Sequence, residues 1–193
     1  TEGLDADVVA ALEEGVAQAK AALVDEIKSL GKMVNHWGLT YDMGRYGTKY
    51  AYRAAWTFAG IGGNVIEDAF YPIGMYDADG EPLSGEHNYT LTFGKGAWPP
   101  ADAFWSMTLY DVDTRCIIQN EQKIADRSSR MDLIKNADGS VDIYMGPHAP
   151  KGKEANWIPT VPGKAWFPYF RLYSPKKAFL DRTWVLPDIE KRK

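Results

Sequence analysis

The chain has 193 residues and a formal net charge of −4, enough for one sizeable hydrophobic core and short for two. That charge excludes the concentrated basic face of a nucleic-acid binder. The lone cysteine, Cys116, excludes an intrachain disulfide, and no run of about 18 apolar residues offers a membrane span.

In chain order, residues 4–30 read as one amphipathic helix. Leu4, Val8, Leu12, Val16, Ala19, Leu23, Ile27 and Leu30 recur at steps of three and four. Glu13, Glu14, Gln18 and Glu26 oppose this stripe, Asp5 and Asp7 suit the helix start, and Gly31 suits a left-handed cap. A stripe this narrow packs on one surface: the helix's own domain, a partner domain, or a second copy in a homo-oligomer. A connector rich in glycine and rings follows (Trp37, Gly38, Tyr41, Gly44, Tyr46, Gly47). A second helix is expected from Thr48 to Gly60, with Ala51, Ala54, Ala55 and Ala59 forming a small-residue face.

From Asp68 onward the period shifts towards two. Tyr89, Leu91 and Phe93 alternate with threonines, and Trp105, Met107 and Leu109 oppose Phe104, Ser106, Thr108 and Tyr110. Val141, Ile143 and Met145 form a third run, and Phe170 and Leu172 alternate with Tyr169, Arg171 and Tyr173. Turn signals at Asp79-Gly80, Ser84-Gly85, Pro99-Pro100, Asp138-Gly139 and Pro162-Gly163 separate the runs. The expected fold is mainly β (α+β): an antiparallel, jelly-roll-like β-sandwich with two helices confined to the N-terminal segment. Residues 1–44 make the amphipathic helix and connector, and residues 45–193 the β-sandwich domain with one short leading helix, a single domain overall. The tail Glu190-Lys191-Arg192-Lys193 is expected to fray in solvent.

Asp77, Asp79 and Glu86 partly fit a calcium loop, with Gly80 at its sixth position, but position one would be Met75, which brings no hard oxygen. A hairpin turn explains the same residues, so no cofactor is expected, with Ca²⁺ at Asp77, Asp79 and Glu86 the remaining option. His36, His87 and His148 are scattered along the chain, and no nucleophile elbow or phosphate loop occurs. Cys116, amid Thr114-Arg115 and Ile117-Ile118, reads as a buried structural thiol. Arg171 lies in a mostly aromatic run and needs a carboxylate or carbonyl partner if buried. It reads either as half of a structural ion pair or as an anion-binding group, with Arg53 or Arg130 assisting. Trp98, Trp157 and Trp166 sit beside Pro or Gly segments, where loop rings either stack on sugars or plug the sandwich ends.

Several of these segments together resemble a bacterial family, that of domain of unknown function 1214. They are Tyr52-Arg53-Ala54-Ala55, Tyr76-Asp77, Asp79 to Gly85, Asn88 to Phe93, Pro99-Pro100 through Asp111, Asn136 to Ser140, Asn156-Trp157-Ile158-Pro159 and Arg171 to Pro175. The resemblance covers roughly residues 45–188. Such domains usually form the C-terminal half of proteins whose first half is domain of unknown function 1254, and residues 1–44 look like the connector between the halves. The chain begins at Thr1 rather than Met, which fits a trimmed or excised piece. The resemblance implies a β-sandwich, often periplasmic or exported, with no accepted activity. Its polar residues Arg53, Asn88, Asp111, Asn156 and Arg171 serve either a ligand or the sandwich's own hydrogen bonds.

The reading that follows is a non-catalytic binding or assembly module. Trp98, Trp157 and Trp166, with Arg53, Arg171 and Asn156, would meet a carbohydrate or other envelope-type ligand, and helix 4–30 would dock a partner domain or second copy. The alternative is a hydrolase or lyase whose carboxylates, drawn from Asp77, Asp79, Glu86, Asp111 and Asp142 with His87, assemble in a sandwich cleft, with or without a metal.

Overall fold

The alternating runs become two facing sheets in the computed structural model, which describes residues 2–28, 30–60 and 62–192. The elements are α1 (Ala6–Lys28), β1 (Lys32–Val34), β2 (Trp37–Leu39), α2 (Tyr50–Gly60), β3 (Ala69–Phe70), β4 (Ile73–Gly74), β5 (Tyr89–Phe93) and β6 (Ala101–Asp111). They continue with β7 (Asp126–Ser128), β8 (Val141–Gly146), β9 (Trp157–Pro159), β10 (Trp166–Pro175), the short α3 (Lys177–Leu180) and β11 (Glu190–Lys191). The larger sheet runs β1-β2-β4-β10-β6-β7, with β3 also paired to β10, and the smaller runs β11-β5-β8-β9.

The two long strands β6 and β10 pair in antiparallel register, Met107 opposite Phe170 and Trp105 opposite Leu172. Side chains alternate faces along a strand, so Trp105, Met107, Leu109, Phe170 and Leu172 all turn inward and are buried. Facing them from the smaller sheet are Leu91 and Phe93 of β5, Val141, Ile143 and Met145 of β8, and Ile158 of β9, in the same core. Phe93 bridges the layers, its ring 5.3 Å from Trp105 and 5.9 Å from Phe170. Burying each such side chain contributes about 1.5–3 kcal/mol.

The structure departs from the sequence reading in several places. β8 and β9 pair in parallel, joined through the 3₁₀ turn Glu154–Asn156 rather than a hairpin. The larger sheet begins inside the expected connector: β2 pairs with β4 and places Trp37 and Leu39 in the core. The tail is a strand rather than a frayed end, with Glu190 and Lys191 opposite Thr90 and Tyr89; Lys193 lies outside the described residues. A late helical turn, α3, buries Phe179 against Phe70 and Tyr41. Cys116 is exposed, not buried.

The leading helix ends at Lys28, and the Ser29 of the expected 4–30 span lies outside the described residues. Leu23 and Ile27 are half-buried where α1 meets α2, whereas Leu12 is 51% and Val16 70% exposed. No described helix is long and apolar enough to cross a membrane.

Two glycines hold turns for different reasons. Gly80 takes φ +81°, the left-handed region an Asp-Gly hairpin needs. Gly85 is instead pressed against the chain after β9, where a methyl group would collide with the Val161 carbonyl.

Candidate functional site

The outward side of β6 and β10 is the second product of the alternation that builds the core. Register places Phe104 opposite Tyr173, Ser106 opposite Arg171, Thr108 opposite Tyr169 and Tyr110 opposite Phe167. All but Phe167 are half-buried, so this sheet face carries large rings at partial exposure. Phe104 and Tyr173 stack at 4.3 Å and 17°, and Tyr110 stacks on Phe167 at 5.6 Å and 25°. Tyr169 meets Tyr110 and Phe167 edge-on.

Arg171 sits in the middle of these rings. It donates from Nη1 to Thr108 Oγ1 at 3.1 Å and from Nη2 to the Tyr110 hydroxyl at 2.7 Å. Its guanidinium carbon lies 5.3 Å from the Tyr169 ring centre and 5.6 Å from that of Tyr110, within reach of cation–π attraction. Arg115 reaches the same place from another element. It follows the turn that closes β6, takes φ +60°, and lies 5.3 Å from the Phe167 ring centre. Burial pushes the Tyr169 hydroxyl pKa up, and the charges of Arg115 and Arg171 pull it back, which places both cations near one phenol. At the other end Arg130 lies 3.9 Å from the Phe104 ring centre. Among the described residues none of these three arginines makes an ion pair. The structural ion pair weighed for Arg171 is therefore replaced by two hydroxyl acceptors.

The other expected site residues are dispersed. Trp166 is the first residue of β10 rather than a loop residue, and at 1% exposure it meets Tyr89 edge-on in the core. Trp98 is half-buried beneath Lys135, and Trp157 spends its indole N–H on the Gly146 carbonyl at 2.9 Å. Arg53 lies on α2, where it lines a groove of about 660 Å³ with Leu23, Tyr50 and Phe58. Asn156 is fully buried. Its Oδ1 accepts from the Ile134 amide at 2.7 Å, and its Nδ2 donates to the carbonyls of Ile134 and Asp142 at 2.9 and 2.8 Å. Both N–H groups of its amide are spent and the side chain is closed off from solvent, so it offers no donor to a ligand.

The carboxylates close their own turns instead of converging. Buried Asp77 accepts from the amides of Asp79 and Glu81, which folds the hairpin expected there, while Asp79 and Glu86 face solvent. Asp142 accepts from Thr92, Asn136 and Tyr144. Asp111 accepts from the amides of Asp113 and Thr114 and pairs with Lys164 at 2.9 Å. His87 lies edge-on to Tyr89. Among the described residues no three His, Cys, Asp or Glu side chains are placed to hold a metal ion, so the Asp77, Asp79 and Glu86 set is not assembled.

The family model described as "Protein of unknown function (DUF1214)" matches residues 68–177. That span contains β3 to β10 complete, hence the whole outer face. Among solved structures, a protein from Vibrio parahaemolyticus is 24% identical with a TM-score of 0.69, covering 100% of this chain and 47% of that one. The chain thus spans about half the length of that relative, and the likeness concerns the fold. An uncharacterised protein from Burkholderia cenocepacia is 15% identical over 64% of this chain and 29% of its own, with a TM-score of 0.44. No curated protein matches.

Proposed function

This chain belongs to the family described as protein of unknown function (DUF1214), and from that premise we propose that it is a non-catalytic binding module whose ligand face is the outer side of β6 and β10. The ligand is a carbohydrate or similar ring-bearing envelope component, and an envelope or exported setting belongs to the same reading. The observation that carries it is the row of partly exposed rings held by the β6–β10 register. Rings kept partly wet on a sheet give a flat apolar surface at little entropic cost, because their neighbours already fix them. Hydroxyls of Tyr110, Thr108 and Ser106 interleave with the rings and can orient a polar ligand. Side chains of β6 from Phe104 to Tyr110 span about 20 Å at ~3.4 Å per residue, long enough for an extended chain of sugar rings.

The test is a titration of isotope-labelled protein with a panel of neutral and acidic envelope glycans, followed by NMR. Expected shifts fall on Phe104, Thr108, Tyr110, Tyr169 and Tyr173. If the panel moves only Trp98 and Trp157, or nothing, the outer face is not the ligand face.

A further inference from the structure

We infer that the ligand of this face is an acidic saccharide whose carboxylate is received between Arg115 and Arg171; the inference rests on the binding-face reading above. The two guanidiniums come from different elements, one from a strand and one from the loop folded over Phe167, yet the rings they lie against, Phe167 and Tyr169, meet edge-on at 5.7 Å. Arg115 is exposed and Arg171 half-buried, so two like charges face one patch of touching rings, and an anion received there relieves their repulsion. Arg171 has already committed one N–H to Thr108 and one to Tyr110, which fixes the plane of its fork and leaves further donors. A planar carboxylate matches such a fork through paired N–H···O bonds. The acid nearest by register is Asp126, opposite Thr108 on β7, and it makes no ion pair with either arginine. It disfavours an anion over Thr108 and leaves the Tyr169 side as the place for the charge. The flanking rings and hydroxyls select a sugar rather than a bare anion. Arg130 over Phe104 extends the cationic row, so a chain with more than one acid gains a second contact.

Calorimetry with oligogalacturonate, its carboxyl-reduced neutral counterpart and inorganic phosphate alone tests this on the wild-type protein and on Arg171→Gln, Arg115→Gln and Arg53→Gln. The acidic oligomer is expected to bind roughly tenfold or more tightly than the neutral one, the magnitude of a charge-assisted hydrogen bond. Arg171→Gln and Arg115→Gln are each expected to erase that advantage, while Arg53→Gln, in the α1–α2 groove, keeps it. Arg115 is on an exposed loop, so its variant tests the pair even if Arg171→Gln fails to fold. Equal affinity for both oligomers, or an Arg115→Gln protein that binds the acid unchanged, overturns the carboxylate assignment and leaves the binding face standing. Phosphate binding as tightly as the acidic oligomer overturns the saccharide assignment. Binding of neither oligomer overturns the inference, and the binding face falls with it only if the glycan panel also leaves the outer-face resonances unmoved.

Discussion

Asp111 ends β6 and shows how one carboxylate can be held by a turn. Backbone amides, above all that of Thr114, and the Lys164 ammonium stabilise its charged form and pull its pKa down to about 2. A carboxylate held below its unfolded value of about 3.9 adds stability above that value and loses it as pH falls through the folded one. Asp111→Asn is therefore expected to lower the melting temperature at pH 7, and the gap from wild type to close between about pH 4 and pH 2. A gap that persists unchanged at pH 2 shows that the loss is one of packing rather than of charge. Asn156 tests the opposite case, a neutral hub. Asn156→Ala removes the side-chain partner of the Ile134 amide and carbonyl and of the Asp142 carbonyl. At a net of about 1 kcal/mol for each of the three hydrogen bonds, roughly 3 kcal/mol of stability is expected to go, read by urea unfolding. A loss under about 1 kcal/mol means that water reaches the site and replaces the amide.

At the scale of elements, legibility followed length. β6, β10, β5 and β8 carry enough alternation for their buried faces to be read residue by residue, and Trp105, Met107 and Leu109 are buried as the pattern requires. β1 to β4 have two or three residues each, too few for a period, and β1 and β2 lie in the stretch that reads as helix end and connector. Trp166 reads as a loop residue because Pro162-Gly163 marks a turn only three residues away, and a turn signal does not say where the next strand starts. Arg171 was legible as a cation among rings. Arg115 was not, because only the fold brings its loop onto Phe167, and nothing in Thr114-Arg115-Cys116 announces it. The stripe on α1 was legible as a stripe, yet its expected cover is present only near Leu23 and Ile27. Leu12→Gln and Val16→Gln are accordingly expected to change the stability of the monomer by no more than about 0.5 kcal/mol, as surface substitutions do. A larger loss in thermal melts that depends on protein concentration means that a second copy covers the stripe in solution. Sedimentation of the same variants then measures that association.

The whole molecule joins two parts of unequal cohesion. The sandwich is closed by sheet registers, and rings such as Phe93 touch both layers, so it unfolds only when the layers separate. The principal packing of α1 is on α2, and α2 buries fully only Ala55. An element with few buried apolar contacts opens locally at a lower free energy than the core. Native-state hydrogen exchange is therefore expected to show α1 amides exchanging through a local opening, largely insensitive to low denaturant, while the β6 and β10 amides exchange only through global unfolding. If α1 amides instead share the free energy and denaturant dependence of β6, the helix is part of the sandwich's cooperative unit. That outcome would make α1 a structural brace. Independent opening would leave it free to exchange partners while the proposed ligand face on β6 and β10 stays rigid, so that the two proposed roles, assembly and ligand binding, would be separable in one chain.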